Sequence, residues 1–221
     1  MGDYEQVRTH MVDNQLRTND VTDLRVLDAM ESVPRERFVP ASRRCIAYSD
    51  QDVLVAGEGS ASRYLMKPHV FGKLVQLAAV QPGEVVLCVG CGTGYSVAVF
   101  AQLAGSVVGL ESDSAVAAAA SELLVELGIE NAAVIEGDLV KGGASEGPYD
   151  VIFVDGAIEV LPEALTAQLK DGGRLVAVRG LGGAGQAELH VRSGDAVSGR
   201  FAFNASARLL PGFAREKTFV F

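Results

Sequence analysis

Three glycines within five residues, Gly90-Cys91-Gly92-Thr93-Gly94, and an acid 21 positions beyond the first of them, Glu111, form the pattern most suited to chemistry in this chain. Glycines let a backbone approach a ligand closely and adopt conformations closed to other residues. A loop of this kind between a strand and a helix suits polar or anionic ligand groups, because it presents N–H donors at the positive end of the helix dipole. An acid about twenty residues further on, at the end of the next strand, is spaced to accept both ribose hydroxyls of a nucleotide. Two other acids, Asp138 and Asp155, follow later apolar runs, where the carboxyl ends of strands line ligand crevices. Cys88 and Cys91 make a C-x-x-C. With no second cysteine pair and no nearby histidine it completes no metal site, and its expected role is one buried strand residue and one small loop residue.

The elements needed to position these residues are legible in order. Val85 to Val89 is a continuous apolar run between Pro82-Gly83 and the glycines, as expected of a buried parallel strand. A helix over 95–103, a strand over 106–110, an alanine-rich helix over 113–127 and a strand over 132–136 follow. After a Gly-rich loop, Lys141 to Gly147, come a strand over 150–154, a helix from Pro162 to Gly172-Gly173 and a strand over 174–178. Apolar runs at Ala187–Val191, Arg200–Phe203 and Thr218–Phe221 lack intervening helices and predict antiparallel edge strands. Ahead of this unit, Tyr4 to Leu16 and Thr22 to Ser32 carry apolar residues at helical spacing, with Thr22 as N-cap. A loop from Gly57 to Lys67 precedes a helix opening at Pro68. The fold class is α/β: a Rossmann-like, doubly wound, mostly parallel sheet with N-terminal helices and antiparallel C-terminal strands. One domain is expected, with an N-terminal extension and active-site loop (1–80), a ligand-binding core (81–180) and edge strands (181–221).

Composition narrows the function. The chain has 221 residues, 48% of them hydrophobic, and a net charge of −9. That charge argues against sequence-independent nucleic-acid binding, which depends on Lys and Arg neutralising phosphates. No apolar run approaches the length of a membrane span, and MGDYEQVRTH lacks the apolar region of a signal peptide, so a cytoplasmic protein is expected.

The string G-C-G-T-G-Y-S lacks the third glycine spacing of a dinucleotide loop, and its tighter G-x-G-x-G resembles the first motif of S-adenosylmethionine-dependent methyltransferases. MV-x-x-QLR from Met11, VLDAM-x-x-VPRE-x-FVP from Val26, AYSD from Ala47, the glycine loop and LKDGGRLV (169–176) together resemble the protein-L-isoaspartate O-methyltransferase family, over Met11 to Gln186. The resemblance implies carboxyl methylation of isoaspartyl residues in damaged proteins, with S-adenosylmethionine as cosubstrate and S-adenosylhomocysteine as product. It implies cofactor contacts at Gly90, Cys91, Gly92, Thr93 and Gly94, at Glu111 and Ser112 for the ribose, and at Asp138 and Leu139 for the adenine. A turn role for Asp138 is the alternative. It places Tyr64, Met66, Pro68, His69 and Gln186 at the substrate cleft, with a protein or peptide as partner and no metal.

Three departures from the family's pattern bear on catalysis. Met66 stands where the family has a Ser or Thr hydroxyl, Cys88 replaces the strand acid that supports the methionyl end of the cofactor, and Asp155-Gly156 replaces a Gly-Ala pair. A carboxylate acceptor, with a pKa near ~4, is ionised at neutral pH and needs no base, so a lost hydroxyl removes orientation and leaves the nucleophile intact. Asp155 is a candidate to face a sulfonium, to serve as base for a neutral acceptor, or simply to cap a turn. No catalytic residue is assigned beyond that candidate. Ser60, Ser62 and Tyr64 are possible replacement donors, and Arg63 and Lys67 are expected to be solvated loop charges. Three functions remain open: an isoaspartyl methyltransferase with altered or reduced activity, a non-catalytic S-adenosylmethionine-binding module, and a small-molecule methyltransferase.

Overall fold

The computed structural model describes residues 4–180 and 185–215. In chain order the helices and strands are α1 (Tyr4–Met11), α2 (Leu24–Ser32), β1 (Val53–Ala56), β2 (Arg63–Leu65), α3 (Pro68–Ala78), β3 (Val85–Val89), α4 (Tyr95–Ala101), β4 (Ser106–Glu111), α5 (Ser114–Glu126), β5 (Ala132–Glu136), β6 (Tyr149–Ile158), α6 (Glu163–Thr166), β7 (Leu169–Arg179), β8 (Gln186–Ser193) and β9 (Ala196–Asn204). The main sheet has the order β5-β4-β3-β6-β7-β8-β9. Its first five strands are parallel, and β8 and β9 add antiparallel to one edge. The doubly wound fold and antiparallel tail are therefore as the sequence predicts. Among the described residues no helix is long and apolar enough to cross a membrane.

The alternation of side chains along the central strands splits the core into two layers. Val86, Cys88, Val151, Phe153, Val176 and Val178 face one side, under residues of the N-terminal helices, α3 and α4. Leu87, Val89, Ile152, Val154, Leu175 and Ala177 face the other, under α6 and a C-terminal segment carrying Leu210 and Phe213. On the first side Phe153 meets Phe71 edge-on at 5.7 Å between ring centroids and Phe100 at 4.9 Å, so α3 and α4 are locked to β6.

Several boundaries differ from expectation for identifiable reasons. Asp23, not Thr22, caps α2, accepting from the Arg25 N–H at 2.9 Å. The Thr22 and Asp23 N–H groups instead donate to Gln76 Oε1 on α3. The helix predicted from Pro162 to Gly172 is a single turn, because β7 starts at Leu169, paired with Tyr149. The stretch read as a loop over 57–67 belongs to a two-stranded hairpin, β1–β2, with a short 3-10 turn at Gly59–Ala61. The strand predicted at Thr218–Phe221 lies outside the described residues.

The N-terminal strings interlock around one arginine. Met11, Val12 and Leu16 are buried, and the Gln15 amide donates to the Tyr48 carbonyl at 2.7 Å. Arg35, fully buried, donates from Nε to the Ala47 carbonyl at 2.7 Å and from Nη2 to the Met66 carbonyl at 2.6 Å, with its guanidinium 4.8 Å from the Tyr95 ring centre. It thus ties the segment after α2 to the backbone at Met66 and to the start of α4. Arg35→Met keeps volume but leaves two buried carbonyls unpaired. The variant is expected to lose roughly 3 kcal/mol of unfolding free energy, read from the midpoint of a urea transition.

Candidate functional site

Strands β3 and β6 are neighbours, and the chain leaves β3 toward β4 and β5 but leaves β6 toward β7. That reversal opens a crevice at their carboxyl ends, where Gly90 and Asp155-Gly156 lie. Gly90, Gly92 and Gly94 have φ of 76°, 53° and 92°, a region side chains disfavour. The turn packs on Gly109 of β4, where an added Cβ would sit 2.7 Å from Val97 Cγ2 and 3.0 Å from Cys91 Sγ. Four of the loop's N–H groups do not stand free. Gly90 and Cys91 donate to the Leu110 carbonyl, Gly94 to the Cys91 carbonyl and Gly92 to Glu111 Oε2. The glycines here serve close approach more than they supply bare donors.

Glu111 ends β4 and is completely buried. Its Oε1 accepts from the N–H groups of Ser112 at 2.7 Å and Asp113 at 3.0 Å, and its Oε2 from Gly92 at 3.0 Å. The Ser112 hydroxyl adds a longer contact to Oε1 at 3.4 Å, and Arg63 of β2, which is 4% exposed, forks onto the same carboxylate, Nη2 to Oε1 at 2.6 Å and Nε to Oε2 at 3.0 Å. Arg63 also donates to the Ala61 carbonyl at 2.8 Å and to Ser112 Oγ at 2.8 Å. The expectation of a solvated charge at Arg63 is overturned, because a buried carboxylate draws the guanidinium in. Lys67 is half-buried, and its N–H donates to Asp52 Oδ1 at 3.1 Å.

Asp155 follows Val151 and Phe153 on the same face of β6 and is 7% exposed. Burial pushes its carboxyl up to about 7. The nearby Glu111 charge adds to the rise, while the Ser96 hydroxyl and the Arg35 guanidinium oppose it. Burial also holds the thiols of Cys88 and Cys91 well above their ordinary range, with the Asp155 charge contributing to both, which removes the activation a redox or metal role requires.

The crevice is rimmed by Asp52, Ser62, Tyr64 and Met66 on one side and by Arg208 to Leu210 on the other. The Arg208 guanidinium lies 5.0 Å from the Tyr64 ring centre and 3.5 Å from the Asp52 carboxylate. The Leu210 side chain lies on the loop, 2.8 Å from where a Gly90 Cβ would be and 2.6 Å from where a Gly156 Cβ would be. The cavity between these groups is about 10 Å³, near the lower limit for one water. A more open cavity of about 290 Å³ continues outward between Ser60, Tyr64 and Pro211. The Glu111 carboxylate beside the glycine loop has the acceptor chemistry and the position that suit a ribose diol. The Arg63 and Leu210 side chains lie against this carboxylate and this loop.

The other predicted residues divide. Thr93 Oγ1 donates to the Phe38 carbonyl at 2.7 Å, anchoring the loop to the N-terminal segment. Ser112 is exposed beside Glu111, and Leu139 is buried. Asp138 follows β5 and accepts from the Val140 N–H at 3.0 Å, which is a turn role, with Lys141 Nζ 3.5 Å away. Tyr64 and Met66 line the crevice. Pro68 and His69 open α3 behind Met66, with His69 Nδ1 2.5 Å from Asp50 Oδ1. Gln186 is exposed at the start of β8 and lines a separate cavity with Glu159, Arg179 and Glu188. Arg35, Asp52 and Leu210 were not predicted at the site. Only Arg35 had a signal, its place in the VPRE string.

A family model described as Protein-L-isoaspartate(D-aspartate) O-methyltransferase matches residues 6–202. Protein-L-isoaspartate O-methyltransferase 2 of Anaeromyxobacter sp. (strain Fw109-5) is 41% identical over 80% of this chain and 71% of its own. Protein-L-isoaspartate O-methyltransferase of Rhodopseudomonas palustris (strain ATCC BAA-98 / CGA009) is 40% identical over 75% of this chain and 74% of its own. Among solved structures, a protein-L-isoaspartate O-methyltransferase superposes with a TM-score of 0.79 at 26% identity, covering 95% of this chain and 66% of that one. A Plasmodium falciparum beta-aspartate methyltransferase solved with S-adenosyl-L-homocysteine gives 0.76 at 20% identity, over 95% of this chain and 99% of that one, a likeness of fold alone.

The raised Asp155 carboxyl sets a stability trend. Between its ordinary value and about 7 the folded chain holds a proton that the unfolded chain has released. Stability from this group is therefore present below pH ~4 and is lost as pH rises toward 7. Asp155→Asn removes the effect. Its stability relative to the unsubstituted chain is expected to be up to roughly 4 kcal/mol greater at pH 8 than at pH 4. Urea unfolding at the two pH values checks this, and an equal difference at both contradicts it.

Proposed function

The chain belongs to the protein-L-isoaspartate(D-aspartate) O-methyltransferase family, and from that membership we propose that it methylates the free carboxylate of isoaspartyl residues in cytoplasmic proteins or peptides. Members of this family are S-adenosylmethionine-dependent methyltransferases. The observation that best supports the reading for this chain is the placement of Glu111. Its carboxylate ends β4, is bonded to the glycine loop through the Gly92 N–H, and lies beside the switch point of the sheet.

The residues fit the cosubstrate as follows. Glu111 would take the ribose hydroxyls, Leu139 and Asp138 would border the adenine, and the loop from Gly90 to Gly94 would carry the methionyl chain toward Asp155. When bound, S-adenosylmethionine supplies an electrophilic methyl group on a sulfonium. The chain's own task is orientation and exclusion of water. An isoaspartyl carboxylate is already ionised, so no residue has to remove a proton. Arg35 fixes the Met66 backbone and hence the edge of the acceptor site. Met66 itself offers no hydroxyl and is 3% exposed, so acceptor orientation falls to Ser62 and Tyr64, which share the rim. Asp155 places a carboxylate beside Gly90 on the face that Cys88 leaves without charge.

One observation favours a second reading. A carboxyl raised to about 7 is tuned for general base catalysis near neutral pH, which a neutral hydroxyl or amine acceptor would need and a carboxylate would not. Methyl transfer from radiolabelled S-adenosylmethionine decides between them. The expected result is transfer to an isoaspartyl peptide and none to its aspartyl counterpart. Met66→Ser should then raise kcat by about tenfold, within the ~100-fold that misplacement can cost. Cosubstrate binding without transfer to the peptide would contradict the proposal.

A further inference from the structure

We propose that Arg63 is a built-in competitor for the nucleoside position: its guanidinium holds the Glu111 carboxylate where a ribose diol would, so cosubstrate binding exchanges one fork of donors for another. This rests on the reading that the crevice takes S-adenosylmethionine.

Two carboxylate oxygens offer about four acceptor positions. At Glu111 three are taken by the N–H groups of Ser112, Asp113 and Gly92, and the Ser112 hydroxyl adds a longer contact to Oε1 at 3.4 Å. The rest of its capacity goes to Arg63, with Nε 3.1 and 3.0 Å from the two oxygens and Nη2 2.6 Å from Oε1. A diol has no free acceptor until the guanidinium leaves. The three backbone donors can stay, because they approach from the loop and from the turn after β4, so the carboxylate remains placed when Arg63 departs.

The occupant is held from its own side as well. Arg63 lies on β2, and the hairpin sits over the glycine loop, with Arg63 Cβ 3.6 Å and Val55 Cγ2 3.9 Å from an added Gly92 Cβ. The guanidinium's further bonds to Ala61 and Ser112 span the hairpin turn and the turn after β4. Releasing it therefore loosens the hairpin from the loop. The departing charge has an outlet, since Arg63 already lines the crevice together with the Asp52 carboxylate at its rim. A buried, bidentate, charge-assisted pair is costly to break, so ligand affinity is lowered by the strength of this contact. A neutral side chain at position 63 removes the competitor and leaves Glu111 short of a partner that a diol can replace.

The test is calorimetric titration of S-adenosylhomocysteine into the full chain and into Arg63→Gln. The substitution is expected to tighten binding by at least about tenfold and to lower the melting temperature of the ligand-free protein. In the unsubstituted chain the Arg63 Nε–H, protected from exchange without ligand, should exchange faster at saturating S-adenosylhomocysteine. This second readout decides the matter should Arg63→Gln fail to fold. Equal or weaker binding by a folded Arg63→Gln, or an Nε–H that stays protected in the saturated complex, overturns this inference and leaves the cosubstrate reading standing. If neither protein takes up S-adenosylhomocysteine, the cosubstrate reading falls and this inference falls with it.

Discussion

The buried carboxylate of Glu111 is the constraint around which the site is arranged. A charge with no solvent exposure must be fully bonded, and this one is bonded to the glycine loop, to the turn after β4 and to an arginine from a separate hairpin. One side chain thereby fixes the distance between the loop and β4 and holds the hairpin over both. In the proposed complex the same oxygens accept the ribose hydroxyls, so the group that stabilises the ligand-free site would also be the group that changes partners on binding.

The N-terminal third serves that site from the other side. The strings around Met11, Val26 and Ala47 are separate in sequence, but their buried residues and the Arg35 guanidinium converge on the Met66 backbone and the Tyr95 ring. This explains why a stretch remote from the glycine loop carries so much of the resemblance: it sets the wall against which an acceptor would be placed. Position 66 then shows how a backbone contact can hold a segment whatever its side chain. Arg35 bonds the backbone there, and that contact is indifferent to whether the residue carries a hydroxyl or a thioether.

What was legible in the sequence was local. The strands from Val85, Ser106 and Ala132 are apolar runs closed by turn residues, and their boundaries fall within a residue of expectation. Glu111 and the glycines follow from spacing along one βαβ unit. Apart from the cap of α2, where Asp23 replaces Thr22, the misreadings are non-local. Pro162 and Gly172-Gly173 look like helix start and stop signals, but pairing with β6 extends β7 back to Leu169. The pieces Val53–Ala56 and Arg63–Leu65 are too short to announce themselves and become strands only by pairing with each other. Arg63 in a stretch of Gly and Ser looks like a solvated charge, and its burial is decided by an acid 48 residues away. Leu210 carries no signal for its place on Gly90, since that contact comes from the C-terminal segment folding back along β6, where the Leu210 N–H donates to the Ala157 carbonyl.

The proposed role of Glu111 is that of a shared acceptor, first for arginine and then for ribose. A crystal structure of the full chain with S-adenosylhomocysteine examines that directly. Both ribose hydroxyls are expected within about 3 Å of the Glu111 oxygens, with the three backbone N–H bonds kept and the Arg63 guanidinium withdrawn from the carboxylate. A complex in which the ligand lies elsewhere, and the arginine fork on Glu111 is intact, would contradict it.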